Sequence, residues 1–304
     1  MKQQYATMAL KVDVDTFIGT RDGVPRLLET LDRFAIKATF YFSLGPDNSG
    51  KAIRRIFRKG FLRRMLRTRT SSSMYGLRTM LYGILLPPPY IGERLPDRIR
   101  AVEEAGHEVG IHCWDHVKWH DYLPWLPKQT ALMEIGRASA VFETIFGHRA
   151  RTTAAPGWTV SPDSLEIQDA MGLTYCSDSR GTHPFFPRMA ERRFSTLQIP
   201  STWPTMDELI GENGITPETI NDHFCTLVRP GLNVHTIHAE MEGSGLVDTF
   251  TDLLQRLVAR EVRFITLAAA AAEFGKGAPD SELAMGYIDG RAMPVAIQAG
   301  NREL

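Results

Sequence analysis

Six or seven times between Met8 and Thr266, a short apolar run of strand character gives way to a stretch of helical period. Eight apolar runs are legible, two of them (LTYCSD and STLQIP) without a helix between: MALKVDVD, KATFYFSL, residues 107–112, RTTAA, LTYCSD, STLQIP, NVHTIH and VRFIT. A first helix is predicted from an Asp22 cap, with Leu27, Leu28, Leu31 and Phe34 on one face; others are predicted near 96–105, 127–146, 161–171, 216–228 and 246–260. Strands separated by helices pair in parallel, because each crossover must return the chain to the same end of the sheet. With no linker between units, the 304 residues read as one barrel-like α/β domain over residues 1–275. The tail, 276–304, is rich in Gly, Ala and Pro and is predicted to be irregular. Residues 45–95 interrupt the alternation as an insertion.

A parallel barrel collects its reacting groups at the carboxyl ends of its strands. Asp13, Asp15, His112, Asp178 and His238 all stand at such ends. Asp13 and Asp15 are two apart, so they share one face of the strand. One can bind a metal while the other lies beside the attacking water. In GHEVGIHCWDH, His112 and His116 are four apart. One carboxylate and two imidazoles hold a divalent ion with a position left open for water. His116 and His120 compete at the same spacing, and with nine histidines one such pair by chance is unsurprising. His112 is preferred because it closes the strand HEVGIH. His120 then reads as a loop or outer histidine, and Asp115 as a group that orients an imidazole. Later, HTIHAEMEG ends a strand with His235 and His238 and runs on into Glu240 and Glu242. A histidine there suits delivery of a proton to a leaving amine. The set implies one divalent ion: zinc fits, and manganese, cobalt and nickel also take nitrogen and oxygen ligands.

Composition narrows the partners. Hydrophobic content of 43% supports a real core, and the formal net charge is zero. That neutrality hides an asymmetry: residues 48–92 carry ten basic residues and no acidic one. Within them Ile53, Ile56 and Phe57 share a helical face opposite Lys51, Arg54, Arg55, Arg58 and Lys59. After Gly60, Phe61, Leu62, Met65 and Leu66 oppose Arg63, Arg64 and Arg67, and MLYGILLPPPYIG adds an apolar loop. Two short basic amphipathic helices with a bend are predicted to bind an anionic membrane surface through Arg54, Arg55, Phe57, Arg58, Phe61, Arg63, Arg64 and Leu66. No nucleic-acid motif is present. Three cysteines, Cys113, Cys176 and Cys225, make no disulfide framework and point to a reducing compartment; Cys113 reads as a buried thiol. No signal peptide and no membrane-spanning run is recognised, so a cytoplasmic enzyme peripheral on the inner membrane is expected.

The segment Lys11–Phe42, with DVD, a helix and IKATFYF, resembles the polysaccharide deacetylase family, as do EEAGHEVGIHCWDH and IHAE. The resemblance implies a distorted (β/α)7-type barrel of the NodB kind and metal-dependent amide hydrolysis. It implies Asp13 as base, Asp15, His112 and His116 as metal ligands, and His238 as acid. AAPGW, SDSRG, IPSTWPTMDELIG and TIHAEMEG further resemble a branch that removes formate from a polyprenyl-phosphate-linked formamido sugar destined for lipid A. The wider family places an Arg two residues before the Pro of APGW; Ala154 stands there. Arg180, in SDSRG with Asp178 close by, is the expected replacement that orients the base. Two other functions share these features: N-deacetylation of a soluble or cell-wall glycan, and a non-catalytic lipid-carrier binding protein.

Overall fold

The computed structural model describes residues 5–52 and 79–300. The membrane-facing residues expected from sequence, Arg54, Arg55, Phe57, Arg58, Phe61, Arg63, Arg64 and Leu66, lie outside the described residues.

The strand β1 (Ala6–Val14) leads into helix α1 (Val24–Arg33) and strand β2 (Thr39–Ser43). Helix α2 (Pro96–Glu104), β3 (Glu108–Cys113), α3 (His116–Tyr122), α4 (Lys128–Phe146) and β4 (Thr152–Thr153) follow. Next come α5 (Pro162–Met171), β5 (Tyr175–Cys176), β6 (Phe186–Met189) and β7 (Arg192–Arg193). The chain then forms α6 (Ile220–Thr226), β8 (Gly231–His238), α7 (Val247–Ala259), β9 (Arg263–Ile265) and α8 (Leu267–Phe274). Strands β10 (Asp280–Gly286) and β11 (Val295–Gln298) end the described chain.

One sheet runs β5-β4-β3-β2-β1-β8, with β9 also paired to β1, and all its pairings are parallel. It curls into a half-barrel. STLQIP does not form a full strand, but its backbone spans the gap that the sheet leaves. Cys176 N donates to Leu197 O and Ile199 N to Cys176 O, while Thr202 N and Trp203 N donate to Val234 O on β8. Pro200 cannot donate to such a ladder, and so the segment pairs by isolated bridges.

The two faces of β1 explain its sequence. Met8, Leu10, Val12 and Val14 are fully buried against the outer helices. Each such side chain stabilises the fold by about 1.5–3 kcal/mol. The alternate residues Ala9, Lys11, Asp13 and Asp15 look into the barrel, because side chains on a strand have period two.

Two expectations fail here. Asp22 does not cap α1: its carboxylate takes Arg21 Nε and Nη2 at 2.8 and 2.6 Å, and a wide helical turn over Gly19–Gly23 runs straight into the helix. The tail is not irregular. Strand β10 pairs with β11 and with β6, and Leu283, Val295 and Ala296 are buried by it. Of the Gly and Pro residues that suggested a loop, Gly286 ends β10 and the others lie outside the two strands.

Candidate active site

Strand β1 delivers three polar residues to the barrel mouth in register. Lys11 Nζ lies 2.7 Å from Asp13 Oδ2, and both residues are buried. The lysine also sits over the rings of Tyr41 at 5.9 Å and Trp158 at 5.2 Å, contacts that offset part of its desolvation. The other oxygen of Asp13, Oδ1, is buried with no partner among the described residues, 4.0 Å from His112 Nδ1.

Asp15 lies just past the end of β1, facing β3 and α3. Its oxygens are 3.1 Å from His112 Nε2 and 3.4 Å from His116 Nε2. His112 Nδ1 donates to Ala154 O at 2.7 Å, which leaves the Nε2 lone pair directed at Asp15. His116 is the first residue of α3. Asp115 caps that helix by accepting from Lys118 N and is held by Asn48 Nδ2. Asp115 therefore fixes the helix end instead of orienting an imidazole. Ligand atoms of Asp15, His112 and His116 all lie within 4.8 Å of one another. Burial works to raise the Asp15 pKa, but His116 and His112 hold it well below the usual carboxylate range. A buried, unpartnered carboxylate oxygen between two imidazole lone pairs fits a divalent cation.

His120 is excluded from this set. Its ring stacks on His116 at 6.0 Å, and its Nδ1 meets Asp121 Oδ1 at 2.8 Å. The APGW turn packs against it so closely that a Cβ on Gly157, at φ +56°, would fall 2.0 Å from the His120 ring. Cys113 is a buried free thiol.

His238 ends β8 beside Asp13, its register partner. Burial lowers its pKa, but Asp207, Asp15, Glu242 and Asp13 outweigh that and raise it. Its backbone N–H donates to Glu242 Oε2 at 2.7 Å. Burial pushes Glu242 up to about 7. Glu240 rises to about 8, first through burial and then through Asp15, although it accepts from Asp15 N, Thr16 N and Thr16 Oγ1. Gly19 makes room for this carboxylate, since a Cβ there would lie 2.0 Å from Glu240 Oε1. His235 is a neutral core residue: burial and Arg180 take its pKa down to about 3, and its ring packs on Trp203 and Phe224.

Arg180 does not reach Asp13. Its Nη1 binds both Glu208 oxygens at 2.9 Å, its Nη2 donates to Trp203 O, and its guanidinium lies over Trp158 at 5.0 Å. Backbone bonds to Ala296 and Gln298 of β11 fix Arg180 in that position. Asp178 is likewise committed elsewhere. It accepts from Ala155 N, Gln168 Nε2 and Gln198 Nε2, joining the APGW turn to α5 and the bridging segment. The cation on Asp13 is Lys11.

Sequence reasoning missed Lys11, Asp207, Glu208 and Arg291. The signal for Lys11 was present, since KVDVD puts it on the same strand face as both aspartates. Thr205 and Glu208 form a reciprocal helix cap, readable as T-x-x-E. Arg291 carried no signal. From the tail it binds Glu208 Oε1 at 2.6 Å and covers Trp158 at 4.6 Å. Burial works to lower its pKa, but Asp207 and Glu208 raise it. Trp158, at φ +50°, is thus held among Lys11, Arg180 and Arg291 in a backbone region costly for a bulky residue. A cavity of about 1080 Å³ lies behind this layer, lined by Arg180, Trp203 and Glu208 among others; none of the ligand set lines it.

The curled parallel sheet, with a carboxylate and two imidazoles at its mouth and a second carboxylate beside them, defines an amide hydrolase that cleaves carbon–nitrogen bonds. Residues 6–176 match the polysaccharide deacetylase family model, and the chain belongs to that family. Over 301 residues it is 38% identical to a probable 4-deoxy-4-formamido-L-arabinose-phosphoundecaprenol deformylase of Shewanella sediminis, covering 98% of this chain and 97% of the relative. A protein of the same description from Wigglesworthia glossinidia brevipalpis is 32% identical over 253 residues, covering 82% and 87%. The fold resembles a putative polysaccharide deacetylase from Mycobacterium smegmatis, with a TM-score of 0.64 at 18% identity over 95% of this chain and 97% of the other.

Proposed function

We propose that the protein hydrolyses the formamide of a 4-formamido sugar carried on polyprenyl phosphate, releasing formate and the 4-amino sugar lipid. The observation that carries this reading is the division of labour at Asp13. One oxygen is held by Lys11, and the other is unpartnered beside the Asp15–His112–His116 set. The likeness to probable deformylases, over 98% and 82% of the chain, favours this substrate.

Asp15, His112 and His116 would hold one divalent ion, of zinc, manganese, cobalt or nickel. Such an ion, when bound, would polarise the formyl carbonyl and acidify the attacking water. Asp13 Oδ1 takes the proton of the attacking water, while Lys11, 2.7 Å from Oδ2, holds the carboxylate in place. His238 then gives a proton to the departing nitrogen; the surrounding carboxylates keep its imidazole protonated to higher pH. The carbon–nitrogen bond breaks, the amine leaves neutral, and formate remains.

Exposed Ile84 and Leu85, at the tip of the turn Leu81–Leu86, favour work at a bilayer. Among the described residues no helix is long and apolar enough to cross a membrane. A peripheral position on the cytoplasmic face is part of the proposal. The test is formate release from the lipid-linked formamido sugar, against the N-acetyl analogue and a soluble N-acetyl glycan, by chelated protein reloaded with defined metals. Release from the formamido lipid alone supports the reading. Release of acetate from the soluble glycan, or no release from any substrate, rejects it.

A further inference from the structure

Beside the mouth lies a second cavity, of about 340 Å³, that the mechanism above does not use. Its lining is Phe17, Ile18, Arg21, Thr79, Tyr82, Pro89 and Arg94. Two guanidiniums and two hydroxyl-bearing side chains face it, and among the described residues no carboxylate lines it. Its volume is at the small end of the range for small-molecule sites, roughly 300–1,000 Å³.

The cavity belongs to the catalytic end of the barrel. Phe17 is two residues beyond Asp15, and its N–H is held by Asp47 Oδ2 at 2.8 Å. Pro89 and Arg94 sit on the connection that leaves β2, also at a strand carboxyl end. Arg21, Arg26 and Arg98 all act on Asp22, which is half in solvent. Arg94 is exposed and makes no ion pair among the described residues. Asp22 takes Arg21 by Nε and Nη2, so Arg21 Nη1 stays uncommitted among the described residues. Planar guanidiniums in such a position suit a phosphate, whose oxygens accept paired N–H donors.

A second feature of the same loop narrows the ligand. Thr79 and Tyr82 line the cavity, and two residues after Tyr82 the chain exposes Ile84 at 49% and Leu85 at 76%. An apolar tip beside an arginine pair matches a ligand that is apolar at one end and anionic at the other. Free phosphate gives no reason for the tip, and a sugar alone gives none for the arginines.

We propose that the cavity formed by Arg21, Thr79, Tyr82 and Arg94 binds the phosphate of a phosphate-ester lipid, and that the attached sugar reaches the Asp15–His112–His116 mouth from there. The assignment rests on the lipid-linked reading of the substrate, which it deepens by naming where the phosphate is gripped.

The experiment is calorimetric titration of the full chain with a short-chain prenyl phosphate, the corresponding prenyl alcohol, and inorganic phosphate. It compares wild type with Arg94→Gln and with Arg21→Gln/Arg94→Gln, each checked for an unchanged melting temperature. Loss of a charge-assisted pair of hydrogen bonds is expected to weaken prenyl phosphate binding about tenfold in the single variant and about a hundredfold in the double. The alcohol should bind weakly to all three proteins. In parallel, the ratio of kcat/KM for the phosphate-bearing substrate to that for a phosphate-free methyl glycoside should fall at least about tenfold in Arg94→Gln. Prenyl phosphate binding that ignores both arginines would overturn the site. Inorganic phosphate binding as tightly as prenyl phosphate would overturn the lipid assignment. Arginine-dependent prenyl phosphate binding with no formate release by wild type would remove the proposed chemistry and leave this site standing. Formate release with no arginine dependence would do the reverse.

Discussion

Lys11 Nζ and Asp13 Oδ2 are 2.7 Å apart inside the barrel, on the same face of one strand, and the cation that holds this base comes from its own strand. Breaking a buried pair leaves an uncompensated charge, at a cost of about 3–5 kcal/mol. Lys11→Met is expected to lose stability on that scale, measured by denaturant unfolding of metal-free protein. Lys11→Met/Asp13→Asn is expected to recover most of it, because neither charge is then stranded. Equal instability of the single and double variants would mean that lysine packing, not the pair, matters.

The ligand set joins His116 to His112 and leaves out His120, which stands at the same spacing on the other side. His112→Ala and His116→Ala are each expected to lose the bound divalent ion, measured as metal per chain after dialysis. His120→Ala is expected to keep it, since His120 lies behind His116 against Asp121 and the Gly157 turn. Loss of metal in His120→Ala with retention in His112→Ala would reverse the assignment.

How much of this was legible in the sequence depends on how local each signal was. Period two placed Asp13 and Asp15 together, and the strand end at His112 chose between two histidine pairs; both rest on neighbours in the chain. The same period placed Lys11 on that face, but a lysine on a strand was not read as an interior residue, because lysines are almost never fully buried without a partner. Arg180 illustrates the opposite limit. It lies four residues beyond β5, and its direction is set by Glu208 and by backbone bonds to β11, some 28 and 116–118 residues away. No local pattern reports such contacts. The tail failed for the same reason: β10 owes its place to pairing with β6, not to its own composition.

Burial of Glu242 makes stability depend on pH. Its pKa rises from the ordinary 4.5 to about 7 in the fold, so the folded state holds a proton that the unfolded chain releases above 4.5. That contribution is complete below pH 4.5 and disappears as pH climbs through 7. The wild type, without metal, is therefore expected to lose on the order of 3 kcal/mol more than Glu242→Gln between pH 4.5 and 8. Parallel stability curves for the two proteins would show that Glu242 is ionised in the fold.

At the surface, Ile84→Ser/Leu85→Ser should weaken flotation with anionic vesicles without altering the melting temperature, because both side chains are exposed. Unchanged flotation would place membrane contact elsewhere on the chain.

The central claim is that Asp13 acts as the base and not as a ligand. It is tested most directly by measuring metal content and formate release on one preparation of Asp13→Asn. The expected result is about one divalent ion per chain with turnover lowered about 10²–10⁴-fold. Near-normal turnover, or loss of the ion, would contradict it.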